Sequence, residues 1–334
     1  MTDASERTRN ALRAAHLYYV EDRKMDAIAQ QLHVSRSSVS RLISYARQSG
    51  LVDIRIKAPS DGIAKLQWQL KLAYGVNAHI IPCPDSLSSL ERLDRVGRYA
   101  GKLVNHFVHP GMTIGIAWGA TMSAVGRHVH LRPVADLTVV QLNGAAYTES
   151  SGIGYAAELL ERFAGAFSAR IEHFPVPAFF DDPLTRQAMW RERSIRRILE
   201  TQARMDVAFF SVGDPLSSVP GHVYRGAYLS DEDREELAQE GVVGDVATMF
   251  YRLDGSSDGI RLNRRSSGPT FDTLRATPRR VCIVADPSKQ ASLRGALQAR
   301  LVTDLIVDET TARALDPEAA VWELTRADPS PRRG

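Results

Sequence analysis

Residues 28–43, Ile-Ala-Gln-Gln-Leu-His-Val-Ser-Arg-Ser-Ser-Val-Ser-Arg-Leu-Ile, decide how the N-terminal part of the chain folds. Ile28, Ala29 and Leu32 fall at i, i+1 and i+4, the apolar face of a first helix beginning near Met25. His33 and Val34 fill a tight turn, with Val34 expected to plug the gap between two helices. Ser35 suits the N-cap of the second helix, because its hydroxyl can accept from an orphan backbone N–H. Val39, Leu42 and Ile43 continue an inward face at i, i+3 and i+4. Arg36, Ser37, Ser38, Ser40 and Arg41 are therefore expected to point outward. A polar, basic first half on a second helix is what the DNA major groove admits. The stretch predicts a helix-turn-helix, with Ser35, Arg36, Ser37, Ser38, Ser40, Arg41, Tyr45 and Arg47 as candidate DNA contacts. An ordinary helical hairpin with a solvated face shares the same apolar spacing.

Outward from this stretch, residues 7–20 read as a third helix, with Ala11, Ala14, Ala15, Leu17 and Tyr18 available to pack on the other two. Gly50 is a plausible C-cap. Residues 51–57, Leu-Val-Asp-Ile-Arg-Ile-Lys, alternate strictly and predict one strand of a wing, without a convincing second. Turn residues over 58–62 mark a boundary. The expected organisation is a helix-turn-helix domain over 1–58, a linker and connecting helix over 59–76, a ligand-binding domain over 77–324 and a loose tail over 325–334. On the connecting helix, Ile63, Leu66, Leu70 and Ala73 recur at spacings of three and four. That stripe suits either packing on the following domain or a short dimer seam.

The 334 residues suffice for two domains, one with a sizeable core. Hydrophobic content of 44% and charged content of 24% are ordinary for a soluble globular chain, and no apolar run is long enough to span a bilayer. Two widely separated cysteines, Cys83 and Cys282, exclude a disulfide framework or cysteine-rich zinc site. With no apolar signal region at the start, the expected compartment is the cytoplasm. The net charge of +3 is unevenly placed: residues 1–58 hold ten Lys and Arg against six Asp and Glu. Phosphate attraction therefore belongs to the helix-turn-helix segment, more strongly if two copies associate.

From Asn77 onward, short apolar segments at 79–81, 113–118, 137–142, 207–212, 281–285 and 305–307 alternate with amphipathic ones such as 92–107 and 154–167. The fold class expected is α/β: an all-α helix-turn-helix domain, with its one candidate wing strand, ahead of a doubly wound, mostly parallel α/β domain. Ligands in such sheets sit beyond the C-terminal strand ends. The first loop to inspect there is 115–123, Gly-Ile-Ala-Trp-Gly-Ala-Thr-Met-Ser, which opens a helix expected over 122–130. Gly119 allows close backbone approach, Thr121 offers a hydroxyl, and a helix start supplies free N–H groups, a combination suited to an anion. Other strand ends carry Asn143-Gly144, Gly213-Asp214 and Asp286-Pro-Ser-Lys289, while Gly244-Asp245 opens a stretch over 246–253. Asp181-Asp182-Pro183 reads as a helix-entry turn. His128 and His130, two apart, make a poor metal pair and are expected on the surface. No catalytic Ser/His/Asp or Cys/His order stands out, and no metal or cofactor is implied.

Taken together and in order, the helix-turn-helix, 115–123, 140–144, 174–180, 194–200, 206–213, 226–230, 241–246 and 280–314 resemble the SorC family of sugar-binding transcriptional regulators. The resemblance covers nearly the whole chain. It implies a C-terminal domain similar in fold to sugar-phosphate isomerases and glucosamine-phosphate deaminases, binding a phosphorylated sugar or polyol as effector. By motif, Gly119, Ala120 and Thr121 would hold the phosphate, Asn143 would line the pocket, Asp245 would bind sugar hydroxyls, and Lys289 would approach the phosphate. It further implies a homodimer or homotetramer on a double-stranded DNA operator with palindromic or repeated half-sites. Two departures stand out. Asp286 and Pro287 replace the family's usual Gly-Gly pair ahead of the lysine, which could shift Lys289, and Ala120 stands where several relatives carry a polar residue. The rival reading is a sugar-phosphate isomerase or deaminase whose N-terminus serves only assembly.

Overall fold

A computed structural model describes residues 2–52, 60–147, 150–215, 221–225 and 228–317. The chain divides into two compact units, residues 1–60 and 61–334. The first holds α1 (Thr2–Tyr19), α2 (Met25–Leu32) and α3 (Arg36–Gln48). Ala14, Leu17, Ile28, Val39 and Ile43 form its core, and Ala11, Ala15 and Ala46 form a second small cluster where α1 lies against α3. Alanines at this contact let the two backbones approach closely. Ser35 caps α3 by accepting from Ser38 N at 3.2 Å.

The turn differs from expectation at Val34, which is 38% exposed. His33 adopts the left-handed conformation as the C-cap of α2, and Val34 N donates to Ala29 O at 3.0 Å. That closure turns Val34 outward and leaves the gap to Ile28, Leu32 and Val39. Gly50, at φ +74°, follows the C-cap Ser49. From residue 53 the expected wing strand lies outside the described residues, as does the expected tail.

The second unit opens with α4 (Ser60–Tyr74), whose Leu66 and Leu70 are buried in the core of that unit. There follow β1 (Asn77–Ile81), α5 (Ser89–Phe107), β2 (Thr113–Ile116), α6 (Ala120–Gly126), β3 (Thr138–Gln141), α7 (Ile153–Phe167), β4 (Arg170–Glu172), α8 (Pro183–Met189), α9 (Arg193–Ala203), β5 (Val207–Phe210), β6 (Val212–Gly213), α10 (His222–Arg225), α11 (Asp231–Gln239), β7 (Val242–Val246), β8 (Met249–Arg252), α12 (Phe271–Ala276), β9 (Arg279–Val284), α13 (Gln290–Gln298), β10 (Asp304–Asp308) and α14 (Glu309–Ala314). Seven strands in the order β1-β10-β9-β5-β2-β3-β4 form one sheet, with every neighbouring pair parallel. One face packs on Val96, Ala100 and Val104 of α5, Val125 of α6 and Phe163 of α7. The other packs on α4, α12, α13 and α14 through Leu70, Leu274, Leu293 and Ala312. Burial on both faces explains why strands such as Val-Ala-Phe-Phe of β5 are continuously apolar. Several helix starts carry side chains that satisfy free N–H groups. Ser88 and Glu91 form a capping box on α5, and Asp182 caps α8 ahead of Pro183, the helix-entry turn read from sequence.

Several boundaries shift. The strands expected over 113–118 and 137–142 stop at Ile116 and Gln141, freeing the following residues to build loops. The strand expected over 207–212 breaks at Ser211, after which Val212 and Gly213 join a separate antiparallel sheet, β6-β7-β8. Asp245 lies inside β7 rather than opening a stretch, and the turn at Ala247 and Thr248 closes the hairpin. The helix expected over 122–130 ends at Gly126. His128 docks on α5 through Asp94 Oδ1 at 3.0 Å instead of standing free on the surface, while His130 is exposed.

Candidate functional site

In the doubly wound sheet, β2 and β5 are neighbours whose onward connections run to opposite sides, β2 to β3 and β5 towards β9. This is a topological switch point, where loops splay apart and leave a crevice. Four loops meet there. From β2 come Ala117, Trp118, Gly119, Ala120 and Thr121, from β3 Asn143, from β5 Ser211, and from β9 Lys289. All line one cavity of about 60 Å³ with Asp245, Tyr224 and Thr248. The six ligand candidates from the sequence, Gly119, Ala120, Thr121, Asn143, Asp245 and Lys289, are thus brought together from four widely separated segments of the chain.

Each is held by identifiable causes. Gly119 has φ +155° and ψ 166°, a conformation that side-chain-bearing residues avoid, and it turns the chain straight into α6. Asp286 accepts from Ser288 N at 3.0 Å and Ser288 Oγ at 2.7 Å, capping a 3₁₀ turn over Pro287–Lys289. The departure from the family pattern therefore builds its own turn. Lys289 stays buried, with Nζ donating to Val212 O at 3.1 Å. Asp245 Oδ1 accepts from Tyr224 OH at 2.9 Å and Oδ2 from Thr248 N at 3.0 Å. A Cβ on Gly213 would lie 1.9 Å from Asp245 Oδ1, so only glycine lets the carboxylate occupy this position.

Burial dominates the electrostatics. It raises the Asp245 carboxyl to about 6, against the hydrogen bonds from Tyr224 and Thr248 and the charge of Lys289, which favour the anion. Burial also lowers the Lys289 ammonium, opposed by Asp286, Asp214 and Asp245. One cation among carboxylates, behind a loop of backbone donors, can receive an anionic group and present acceptors to hydroxyls.

A second, larger opening of about 1170 Å³ lies near this cavity, lined by Tyr147, Phe179, Tyr228, Asp233, Arg261 and Arg265 among others. Tyr228 stacks on Trp118 at 5.3 Å and lies 4.3 Å from Tyr147, so an aromatic wall separates the two spaces. Two of the larger one's arginines are already engaged: Arg265 pairs with Asp233 at 2.7 Å and Arg261 with Glu236. By contrast, Asn143 Oδ1 and Ser211 Oγ, both at the small cavity, are buried with no hydrogen-bond partner among the described residues. Sequence reading does not find Ser211, Tyr224, Thr248 or Trp118 as site residues. Ser211 is hidden inside an apolar run, although a serine between Phe210 and Gly213-Asp214 marks the strand end.

On the first unit, Arg36, Ser37, Ser40, Arg41 and Arg47 are exposed, as expected. Arg41 Nε donates to Ser37 O at 3.3 Å, and Arg36 Nε lies 3.6 Å from Asp26 Oδ1. Both are solvated contacts that DNA can displace at low cost. Ser38 is half-buried against Ser35, and Tyr45 is half-buried under Arg7, whose guanidinium lies 4.6 Å from the ring centre.

Residues 59–315 match the Sugar-bind family, a sugar-binding domain. A deoxyribonucleoside regulator of Bacillus subtilis strain 168 is 31% identical over 313 residues, covering 93% of this chain and 98% of its own. The sorbitol operon regulator of Klebsiella pneumoniae is 24% identical over 312 residues, with the same coverage. Among solved structures, a domain of a possible sugar-binding transcriptional regulator from Arthrobacter aurescens TC1 superposes with a TM-score of 0.72 at 49% identity, covering 77% of this chain and 99% of that one. Full-length SorC from Klebsiella pneumoniae shares the fold at a TM-score of 0.69 and 24% identity, over 92% and 98% of the two chains.

A helix-turn-helix unit ahead of a doubly wound sugar-binding domain defines a DNA-binding transcriptional regulator controlled by a sugar effector, and this chain is one. It belongs to the SorC family of sugar-binding transcriptional regulators.

Proposed function

We propose that the effector is a phosphorylated sugar or polyol bound at the switch-point cavity, and that its binding alters operator recognition by α3. The observation that carries this reading is the convergence of the 119–121 loop and the buried Lys289 on one cavity that also holds Asn143 and Asp245. The loop and the lysine supply backbone donors and a point charge for a phosphate. Asp245, anionic above its raised value of about 6, then repels phosphate and accepts from hydroxyls. At about 60 Å³ the cavity has room for roughly two waters, so the walls part when a sugar phosphate enters. Relatives named for deoxyribonucleosides and sorbitol put pentose and hexitol phosphates first among candidates.

The chain works as a homodimer or homotetramer in the cytoplasm, because one helix-turn-helix reads too few bases for a useful specificity ratio. Among the described residues no helix is long and apolar enough to cross a membrane. The role is regulatory rather than enzymatic. A buried acid beside a buried lysine is the one feature favouring an isomerase-type enzyme, and fold likeness does not carry an activity across. A thermal-shift screen of sugar phosphates against their unphosphorylated parents, with a turnover assay on each hit, tests both readings. Stabilisation by a phosphorylated compound without turnover is expected; turnover, or no response to any phosphorylated compound, overturns the proposal.

A further inference from the structure

Two polar side chains at the cavity each bury an oxygen that has no partner among the described residues. Asn143 is 1% exposed, yet its Oδ1 accepts nothing from the described residues. Ser211 is half-buried, with its Oγ shielded from solvent and likewise unpaired. Leaving such groups unpaired costs the desolvation of each, a penalty that folding alone does not recover. Their neighbours are satisfied. Both oxygens of Asp245 already accept from Tyr224 and Thr248, Lys289 donates to Val212 O, and Ser292 Oγ donates to Gly213 O. The backbone around Asn143 is used as well, its carbonyl accepting from Trp118 Nε1 and Gln141 Nε2. The side-chain amide oxygen is left over.

Position gives these two groups a meaning. Asn143 follows β3 and Ser211 follows β5, the strands on either side of β2, whose loop carries Gly119 and Thr121. The two unpaired groups therefore flank the loop proposed to hold the phosphate. An amide oxygen is an acceptor only, so it repels a phosphate oxygen and requires a donor. A hydroxyl both donates and accepts, so Ser211 pairs with either kind of partner.

We infer that Asn143 and Ser211 read the hydroxyl end of the effector, Asn143 Oδ1 accepting from one sugar hydroxyl and Ser211 Oγ pairing with another oxygen of the same molecule. This rests on the sugar-phosphate reading above. It makes these two residues, more than the already satisfied Asp245, the determinants of which sugar is accepted, because an analogue lacking the matching hydroxyl leaves a buried group unpaired.

The test uses the full chain with ribose 5-phosphate, 2-deoxyribose 5-phosphate, sorbitol 6-phosphate and inorganic phosphate as probes in calorimetry. Asn143→Leu and Ser211→Ala are each expected to weaken the tightest sugar phosphate about 10- to 100-fold while changing inorganic phosphate binding less than about twofold. The melting temperature without ligand should hold or rise, since each substitution removes an unpaired buried group; a merely structural residue would lower it. Unchanged sugar-phosphate affinity in both variants, or a melting temperature that falls in both, overturns the inference and leaves the effector reading standing. If the wild type binds inorganic phosphate but none of the sugar phosphates, the effector reading itself fails.

Discussion

The exposed face of α3 and the cavity at the β2 and β5 strand ends, the two sites proposed to meet a ligand, hold their polar groups in opposite ways. On α3, Arg36, Ser37, Ser40 and Arg41 are exposed, and their contacts to Asp26 and to the helix backbone are solvated. Leaving that face empty costs little, because water satisfies it. At the cavity, Lys289, Asp245 and Asn143 are buried, and the side-chain oxygens of Asn143 and Ser211 have no partner among the described residues. The difference predicts two kinds of recognition. Binding through α3 should depend steeply on salt and be nearly neutral for stability. Binding at the cavity should depend on matched polar groups and pH, and its residues should trade stability against affinity.

The largest effect expected is on the DNA side. Replacing both Arg36 and Arg41 by alanine removes two candidate base or phosphate contacts, each worth about 1–3 kcal/mol, and should abolish operator retention in a mobility shift while the melting temperature stays put. An operator affinity equal to wild type would remove α3 from the DNA interface. If Arg41 alone touches only phosphate, Arg41→Ala should weaken all sequences evenly and reduce the salt slope by about one.

The pH dependence of stability sharpens the other half of the contrast. Burial lifts Asp245 from 3.8 to about 6. A carboxyl raised on folding favours the protonated protein, so its contribution is fullest at acid pH and is lost as pH rises from the unfolded value through the folded one. The cost amounts to about 2 kcal/mol between about pH 4.5 and about pH 7.5. Asp245→Asn should flatten that part of the profile in denaturant titrations at the two pH values. An unaltered profile would mean that Asp245 is not desolvated in solution. The cationic partner gives a comparable test in binding: Lys289→Ala should weaken a phosphorylated effector about 10- to 100-fold and barely affect its unphosphorylated parent. Calorimetry showing equal loss for both would take Lys289 away from the phosphate.

Much of this is legible in the sequence where local chemistry dictates the outcome. The helix-turn-helix follows from apolar spacing and Ser35, and the parallel sheet from continuous apolar strands. The convergence of Gly119, Asn143, Asp245 and Lys289 comes by motif resemblance, since no local pattern joins positions so far apart. What stays hidden depends on the tertiary surroundings. Val34 is an apolar residue turned outward because His33 takes the left-handed conformation. Ser211 looks like strand interior, because the break after Phe210 is set by pairing of Val212 with β7. The edge strand β4, Arg-Ile-Glu, is too short and polar to show a pattern. The partnerless state of Asn143 Oδ1 is a property of the packed cavity and has no signature in the chain.

The smallest effect separates the two roles that Ser35 can fill. Its hydroxyl accepts from Ser38 N at 3.2 Å and lies 2.9 Å from both Ser37 Oγ and Ser38 Oγ, so it is committed to the start of α3. Losing an N-cap costs about 1 kcal/mol, whereas a serine hydroxyl donating to a phosphate adds a contact that only the complex feels. Ser35→Ala should therefore lower the stability of the first unit by about 1 kcal/mol. Ser35→Asp keeps an acceptor at the cap and adds an anion at a helix start, where the dipole favours it, so stability should recover. The same anion repels the DNA backbone. If the aspartate variant regains wild-type stability but binds operator more weakly than the alanine variant, Ser35 both caps α3 and faces the phosphates. Equal operator binding by the two variants would leave Ser35 a cap only and move the DNA-contacting face further along the helix, toward Ser40, Arg41 and Arg47.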